Sequence, residues 1–160
     1  MIKVIGIDPG IERLGWGVLI KKNDGVVERV DSGVKHTPKT DRTSKRLYAI
    51  QQFLDKLLQK EKPDLVSVEK LFFSKNVKTA MIIGEVRGVI LATIEKHSVP
   101  IVEFTPMEMK VAVCGSGAAG KADVASFLKL SITLPSEKLL DDETDALALA
   151  LTALVHKRFG

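Results

Sequence analysis

The chain opens on an apolar run, Ile2-Lys3-Val4-Ile5-Gly6-Ile7, closed by Asp8 and then by Pro9-Gly10. A short run rich in β-branched residues and ended by a turn signal predicts a buried strand over 2–8. Residues 14–21 and 26–35 predict two more strands, and Asn23-Asp24-Gly25 between them carries a hairpin signal. Pro38 to Thr43 is polar and reads as a loop. Leu47, Ile50, Leu54, Leu57 and Leu58 recur at helical spacing, so 44–60 predicts an amphipathic helix. Pro63 ends that region. A strand at 65–69, a long helix at 76–97 and a fifth strand at 101–104 follow. Thr105-Pro106-Met107-Glu108 has the residue types of a helix start: an N-cap, a first-turn proline and a capping-box acid. After the Gly-rich loop 115–120, helices are predicted at about 121–131 and 142–157. Three consecutive strands, then strands alternating with helices, predict an α/β fold: a mixed five-stranded sheet flanked by helices, in a single domain over 1–160.

Four acids interrupt this pattern where acids are costly. Asp8 ends the first strand and Glu69 ends the run Leu65-Val66-Ser67-Val68. Asp142 and Asp145 open a segment that is apolar almost all round, Ala146 to Leu151. Sites in open α/β sheets gather at the carboxyl ends of strands, so neighbouring first and fourth strands would bring Asp8 to Glu69. Asp142 and Asp145 are three apart and share a helix face. Clustered, half-desolvated carboxylates repel each other unless a hard divalent cation sits among them, and oxygen donors suit Mg²⁺ or Mn²⁺. Two such ions can clamp a phosphate and activate a water. Asp8 before Pro-Gly also suits a turn, and Asp142 also suits a helix N-cap. Glu69 and Asp145 have no such ordinary role.

Composition narrows the classes. With 45% hydrophobic and 28% charged residues the chain reads as an ordinary soluble globular protein. Its +4 net charge permits nucleic-acid binding without proving it. A single cysteine, Cys114, excludes an internal disulfide and a cysteine zinc cluster and fits a reducing cytoplasm. The chain begins directly in a strand, with no signal peptide pattern and no apolar stretch of membrane-spanning length.

Several segments together carry a resemblance to a known family. They are Gly6-Ile7-Asp8-Pro9-Gly10, Gly15-Trp16-Gly17, Glu69-Lys70-Leu71-Phe72-Phe73-Ser74-Lys75-Asn76, Gly84-Glu85-Val86-Arg87-Gly88 and Asp142-Glu143-Thr144-Asp145-Ala146-Leu147-Ala148. In that order and spacing the chain resembles the RuvC family of bacterial Holliday-junction resolvases from end to end. The resemblance implies an RNase H-like fold, a homodimer and paired symmetric nicking of four-way DNA junctions. It implies that Asp8, Glu69, Asp142 and Asp145 are the catalytic metal ligands, with two Mg²⁺ ions per site and Mn²⁺ as a possible substitute. Asp141 adjoins Asp142 and competes for the third position; spacing to Asp145 favours Asp142. The resemblance gives Phe72 the role of stacking on an unpaired base at the branch point. It matches Lys110 and Lys121 to lysines that bind or act on DNA. Lys75 offers a further phosphate contact. A branch-migration helicase complex is a partner by resemblance alone.

Other classes meet the same residues less well. Another RNase H-like nuclease, such as a pre-ribosomal-RNA nuclease, would share the acids but not the aromatic loop. An actin-like or sugar-kinase ATPase would need a second domain to close over ATP. A non-catalytic DNA-binding module would not need four converging acids, which repel phosphate. The loop up to Lys121 is no P-loop, because Ala122 stands where Ser or Thr belongs. His36, His97 and His156 lack ligand-like spacing and read as surface residues. Gly84, Gly88 and Ala92 form a strip of small residues on the long helix. The strip suits close packing either against the chain's own sheet or against the same helix of a second subunit.

Overall fold

The structure, a computed structural model, describes residues 1–70, 75–134 and 138–156. Its strands are β1 (Ile2–Asp8), β2 (Arg13–Lys21), β3 (Val27–His36), β4 (Leu65–Glu69) and β5 (Ile101–Phe104). Its helices are α1 (Thr43–Glu61), α2 (Val77–Lys96), α3 (Pro106–Cys114), α4 (Lys121–Ser131) and α5 (Asp141–His156). Each element falls within a residue or two of its predicted place. The capping box at the start of α3 forms as its residues predict: Thr105 N–H donates to the Glu108 carboxylate at 2.7 Å, and Glu108 N–H donates to the Thr105 hydroxyl at 3.1 Å.

The five strands form one mixed sheet in the order β3-β2-β1-β4-β5. β1 and β2, and β2 and β3, pair antiparallel through the meander. β4 pairs parallel with β1 on one side and with β5 on the other. Crossover connections through α1 and α2 make that parallel pairing possible.

The sheet is covered on both faces, and the alternation of side chains assigns each face its core. Ile5 and Ile7 pack with Ile50, Leu54, Val86 and Ile90 beneath α1 and α2. Val4 packs on the other face, with Leu147, Leu149 and Leu151 of α5 and with Met109 and Leu128 of α3 and α4. Asp8 and Glu69 follow the same parity and emerge on the α5 face.

Helix α5 runs directly over the sheet. Its residues from Ala146 to Leu154 are all buried. The approach is too close for side chains on the strand beneath. A Cβ at Gly6 would overlap the carbonyl oxygen of Ala146 and come within 2.7 Å of Ala150 N. A Cβ at Gly15 would overlap the carbonyl of Asp142, and one at Gly17 would fall 2.6 Å from Leu147 Cδ2. Glycines inside strands commonly mark such close backbone approach.

His97 departs from the sequence expectation. It is not a surface residue: its ring is half-buried at the end of α2, with Nε2 2.7 Å from Asp55 Oδ1 on α1. Asp55 also pairs with the exposed Lys96 Nζ at 3.0 Å, so a carboxylate on the neighbouring helix holds the His97 ring inward. His36 and His156 are exposed. Among the described residues no helix is long and apolar enough to cross a membrane.

The close contact makes a prediction. Gly6→Ala should push α5 off the sheet and destabilise the protein by about 1–3 kcal/mol, in line with other overpacked cores. Thermal unfolding measures this, and an unchanged melting temperature contradicts the contact.

Candidate active site

Two strand ends and one helix start supply the acids. In the parallel ladder Ile7 lies opposite Val68, so Asp8 and Glu69, one residue further along each strand, stand side by side. Their carboxyl groups are close enough for each to act on the other's protonation. Asp145 and Asp142 reach the same place from the first turns of α5, whose backbone Gly6 and Gly15 admit.

The electrostatics record the crowding. Burial, then the charges of Glu69, Asp145 and Asp142, push the Asp8 carboxyl up to about 8. Burial and the Asp145 charge also raise Glu69, while the hydrogen bond from Asp8 and the Arg87 guanidinium act in the opposite direction. Burial raises Asp145 as well; Lys121 and Lys110 pull it down, and Asp142 and Asp141 push it up. Lys110 on α3 and Lys121 at the start of α4 are therefore near enough to act on the acids. Lys75 is exposed in the loop before α2. Phe72 lies outside the described residues.

Three cations that sequence reasoning did not single out pair with acids in and around the site. Arg13, at the start of β2, pairs through Nε with Asp142 Oδ2 at 2.7 Å. Arg87 on α2 donates to the backbone carbonyl of Glu69 and pairs with Glu103 on β5, tying the end of β4 to both neighbours. Arg29 on β3 lies 3.7 Å from the carboxylate of Glu143, which also accepts from Ser32 Oγ at 2.5 Å. Glu143 is 8% exposed and fastens the start of α5 to β3. Of these, only Arg87 left a trace in the sequence, inside the Gly84–Gly88 segment.

Asp141 and Asp142 separate clearly. Asp141 is 75% exposed and faces Lys121 Nζ at 3.7 Å. Asp142 faces Arg13 and its charge is felt at Asp8. Among the described residues, no group of three or more acidic, His or Cys side chains is already arranged to hold a metal ion. The acids thus share one neighbourhood without forming a closed ligand shell, with Asp142 drawn toward Arg13. The donor set nevertheless suits a hard divalent cation. All four donors are carboxylates, and their mutual repulsion, visible in the raised Asp8, is what such an ion would offset.

Known proteins resemble this chain over nearly its whole length. The family model for crossover junction endodeoxyribonuclease RuvC matches residues 4–153. A protein of that name from Petrotoga mobilis is 46% identical over 156 residues, covering 98% of this chain and 93% of its own. Another, from Thermosipho melanesiensis, is 40% identical over 158 residues, covering 99% of this chain and all of its own. The solved structure of T. thermophilus RuvC in complex with Holliday junction substrate superposes with a TM-score of 0.93 at 31% identity, covering 100% of this chain and 97% of that one. The fold is the RNase H-like one that the resemblance implied.

The raised acids predict a pH dependence in protein stripped of divalent cations. A carboxyl whose folded pKa lies above its unfolded value contributes stability below about pH 4 that is lost as pH rises toward 8. Asp8→Asn removes that loss. The variant should be more stable than wild type at pH 8, by on the order of 1 kcal/mol or more, with the gap closing toward pH 4. Melts in chelator at both pH values measure the difference; a gap that widens at low pH contradicts the clustering.

Proposed function

The chain belongs to the RuvC family of crossover junction endodeoxyribonucleases, and from that premise we propose that it resolves four-way DNA junctions by paired symmetric nicks. The observation that carries the site assignment is the Asp8–Glu69 pair, set side by side at adjacent parallel strand ends by the β1–β4 register, with Asp145 and Asp142 acting on Asp8 from α5. Asp8, Glu69, Asp142 and Asp145 would hold Mg²⁺, with Mn²⁺ as substitute and two ions per site. Held by these four carboxylates, such ions would offset the charge of a scissile phosphate and lower the pKa of a bound water.

The chain's own residues do the rest. Strand register fixes Asp8 against Glu69, and the glycine contacts fix the height of Asp142 and Asp145. Arg13 pairs with the Asp142 carboxylate, and Arg87 holds the backbone carbonyl of Glu69, so both fix the placement of the acids. Lys121 and Lys110, acting on Asp145 from the side of α3 and α4, offer positive charge to the approaching DNA backbone. Lys75 adds another at the start of α2. Phe72 is assigned to base stacking at the branch point by resemblance.

Assembly follows from α2. A Cβ added at Gly84 or Gly88 meets nothing within 4 Å, so the small-residue strip faces away from the chain's own sheet. Met81 and Val77 on the same helix are 65% and 70% exposed. An open glycine strip flanked by exposed apolar side chains supports a homodimer through α2, and a two-fold dimer suits a junction with two scissile phosphates.

Two experiments test this. Asp8→Asn, Glu69→Gln and Asp145→Asn should each abolish Mg²⁺-dependent junction cleavage while junction binding stays intact or tightens. The comparison is among four-way junction, linear duplex and RNA, with and without Mg²⁺. Near-normal cleavage by Asp8→Asn sinks the site, and a preference for RNA favours a different RNase H-like nuclease. For assembly, Gly88→Leu should give a folded monomer that binds junctions poorly and makes no paired nicks. Sedimentation that finds wild type monomeric at micromolar concentration refutes the dimer.

A further inference from the structure

The segment from Lys35 to Arg46 holds five Lys and Arg residues (Lys35, Lys39, Arg42, Lys45 and Arg46) against one acid, Asp41. That surplus of four equals the formal net charge of the whole chain, +4. The segment spans the end of β3, the loop after it and the first turn of α1. It lies at the same end of the sheet as Asp8 and Glu69. β1 and β3 both finish there, and β2, antiparallel to both, begins there with Arg13.

The loop is clamped in place. Thr37 is 3% exposed; its hydroxyl donates to the Ile11 carbonyl, and its N–H donates to the Glu12 carbonyl at 3.0 Å. Arg46 closes the clamp, donating from Nε to the Thr37 hydroxyl at 2.9 Å. The segment that follows Asp8 thus serves as the floor on which the basic loop is mounted. Arg46 and Lys35 are occupied, Arg46 in this clamp and Lys35 over the Phe53 ring. His36, Lys39, Arg42 and Lys45 are exposed.

Of these four, His36 stands in the ladder beside a residue that holds an acid of the candidate site, and the other three follow it at the same end of the sheet. Arg13 holds Asp142, and His36 is its cross-strand partner in the β2–β3 ladder. Directly opposed residues in an antiparallel pair present their side chains on one face, so His36 lies on the α5 face beside Arg13. Beyond it come Lys39, 75% exposed and 3.2 Å from Glu12, and Lys45, 63% exposed and 2.8 Å from Asp41. Exposed pairs of this kind are weak and give way to a stronger anion. The side chains of Arg42 and His36 have no partner among the described residues. Lys110 and Lys121 act on Asp145 from α3 and α4, and this segment adds cations after β3 and at the start of α1.

We propose that His36, Lys39, Arg42 and Lys45 form a phosphate-contacting track that carries the backbone of one duplex arm away from the acid cluster. The assignment rests on the nuclease reading above and adds to it where an arm leaves the protein. Duplex backbone is the occupant that fits, because the track is cationic and no Phe, Tyr or Trp interrupts it from His36 to Lys45 to stack on unpaired bases. A rigid mount suits it, since no loop has to be ordered on binding.

Salt-dependent binding tests the proposal in the full chain. Fluorescence anisotropy is measured without divalent cation on a four-way junction and on a linear duplex. The variants are the triple Lys39→Ala/Arg42→Ala/Lys45→Ala and the single Arg42→Glu. A control triple, Lys22→Ala/Lys56→Ala/Lys62→Ala, removes equal charge from the β2–β3 hairpin and the later part of α1. Removing one phosphate-binding cation should lower the slope of log affinity against log salt by about 0.9. The track triple should therefore flatten the slope by roughly 2–3 units on both DNAs, and Arg42→Glu by at least about 1, with the control unchanged. Unchanged slopes in the track variants, beside a wild type that binds and nicks junctions, overturn the track and leave the nuclease reading standing. Equal flattening in track and control also overturns it, because the effect would then be one of overall charge. A wild type that neither binds nor nicks junctions overturns the nuclease reading and the track together.

Discussion

The structure depends on one close contact: the backbone of α5 against the backbone of β1 and β2. Gly6, Gly15 and Gly17 leave no side chain between helix and strands. That absence sets the height at which Asp142 and Asp145 arrive over the strand ends. A helix resting on ordinary side chains would stand farther from the sheet. Asp8 would then no longer feel the two helix acids. The apolar body of α5, buried from Ala146 to Leu154, supplies the hydrophobic drive that holds the contact shut.

Against that drive stands the charge at the helix start. Burial and mutual repulsion raise Asp8, Glu69 and Asp145 together. A fold selected for stability alone would not group them, and such grouping is characteristic of functional sites. The protein limits the damage locally. Arg13 takes Asp142, Arg87 braces the Glu69 backbone, and Glu143 anchors the start of α5 to Ser32 and Arg29. The start of α5 and the end of β4 are thus braced from both sides, although Asp142 is turned toward Arg13.

The residues of the proposed site lie along one end of the sheet. The acid cluster occupies the middle, at β1 and β4. The basic segment after β3 lies on one side, and α3 and α4 with Lys110 and Lys121 lie on the other. Helix α2 begins at the same end, and Arg87 links its body to Glu69. The helix with the open glycine strip is therefore also the helix that braces a proposed catalytic acid.

The sequence by itself determined most of the architecture. Periodicity placed all five strands and the long helices, and Thr105-Pro106-Met107-Glu108 announced its own capping box. It also marked Asp8, Glu69, Asp142 and Asp145, because an acid at the end of an apolar run violates the local pattern. Local rules cannot say what lies across the sheet. Arg13, Arg29 and Glu143 look like ordinary charges in sequence; they acquire partners only when β2, β3 and α5 are brought together from positions more than a hundred residues apart. His97 was misplaced for the same reason, since Asp55 lies on another helix. Asp141 and Asp142 differ by one step of sequence but about 100° of helix rotation, so only the docking of α5 decided which acid faces Asp8. Gly6, Gly15 and Gly17 could be read as close-approach sites, but which backbone approaches them is a long-range fact that tertiary packing alone supplies.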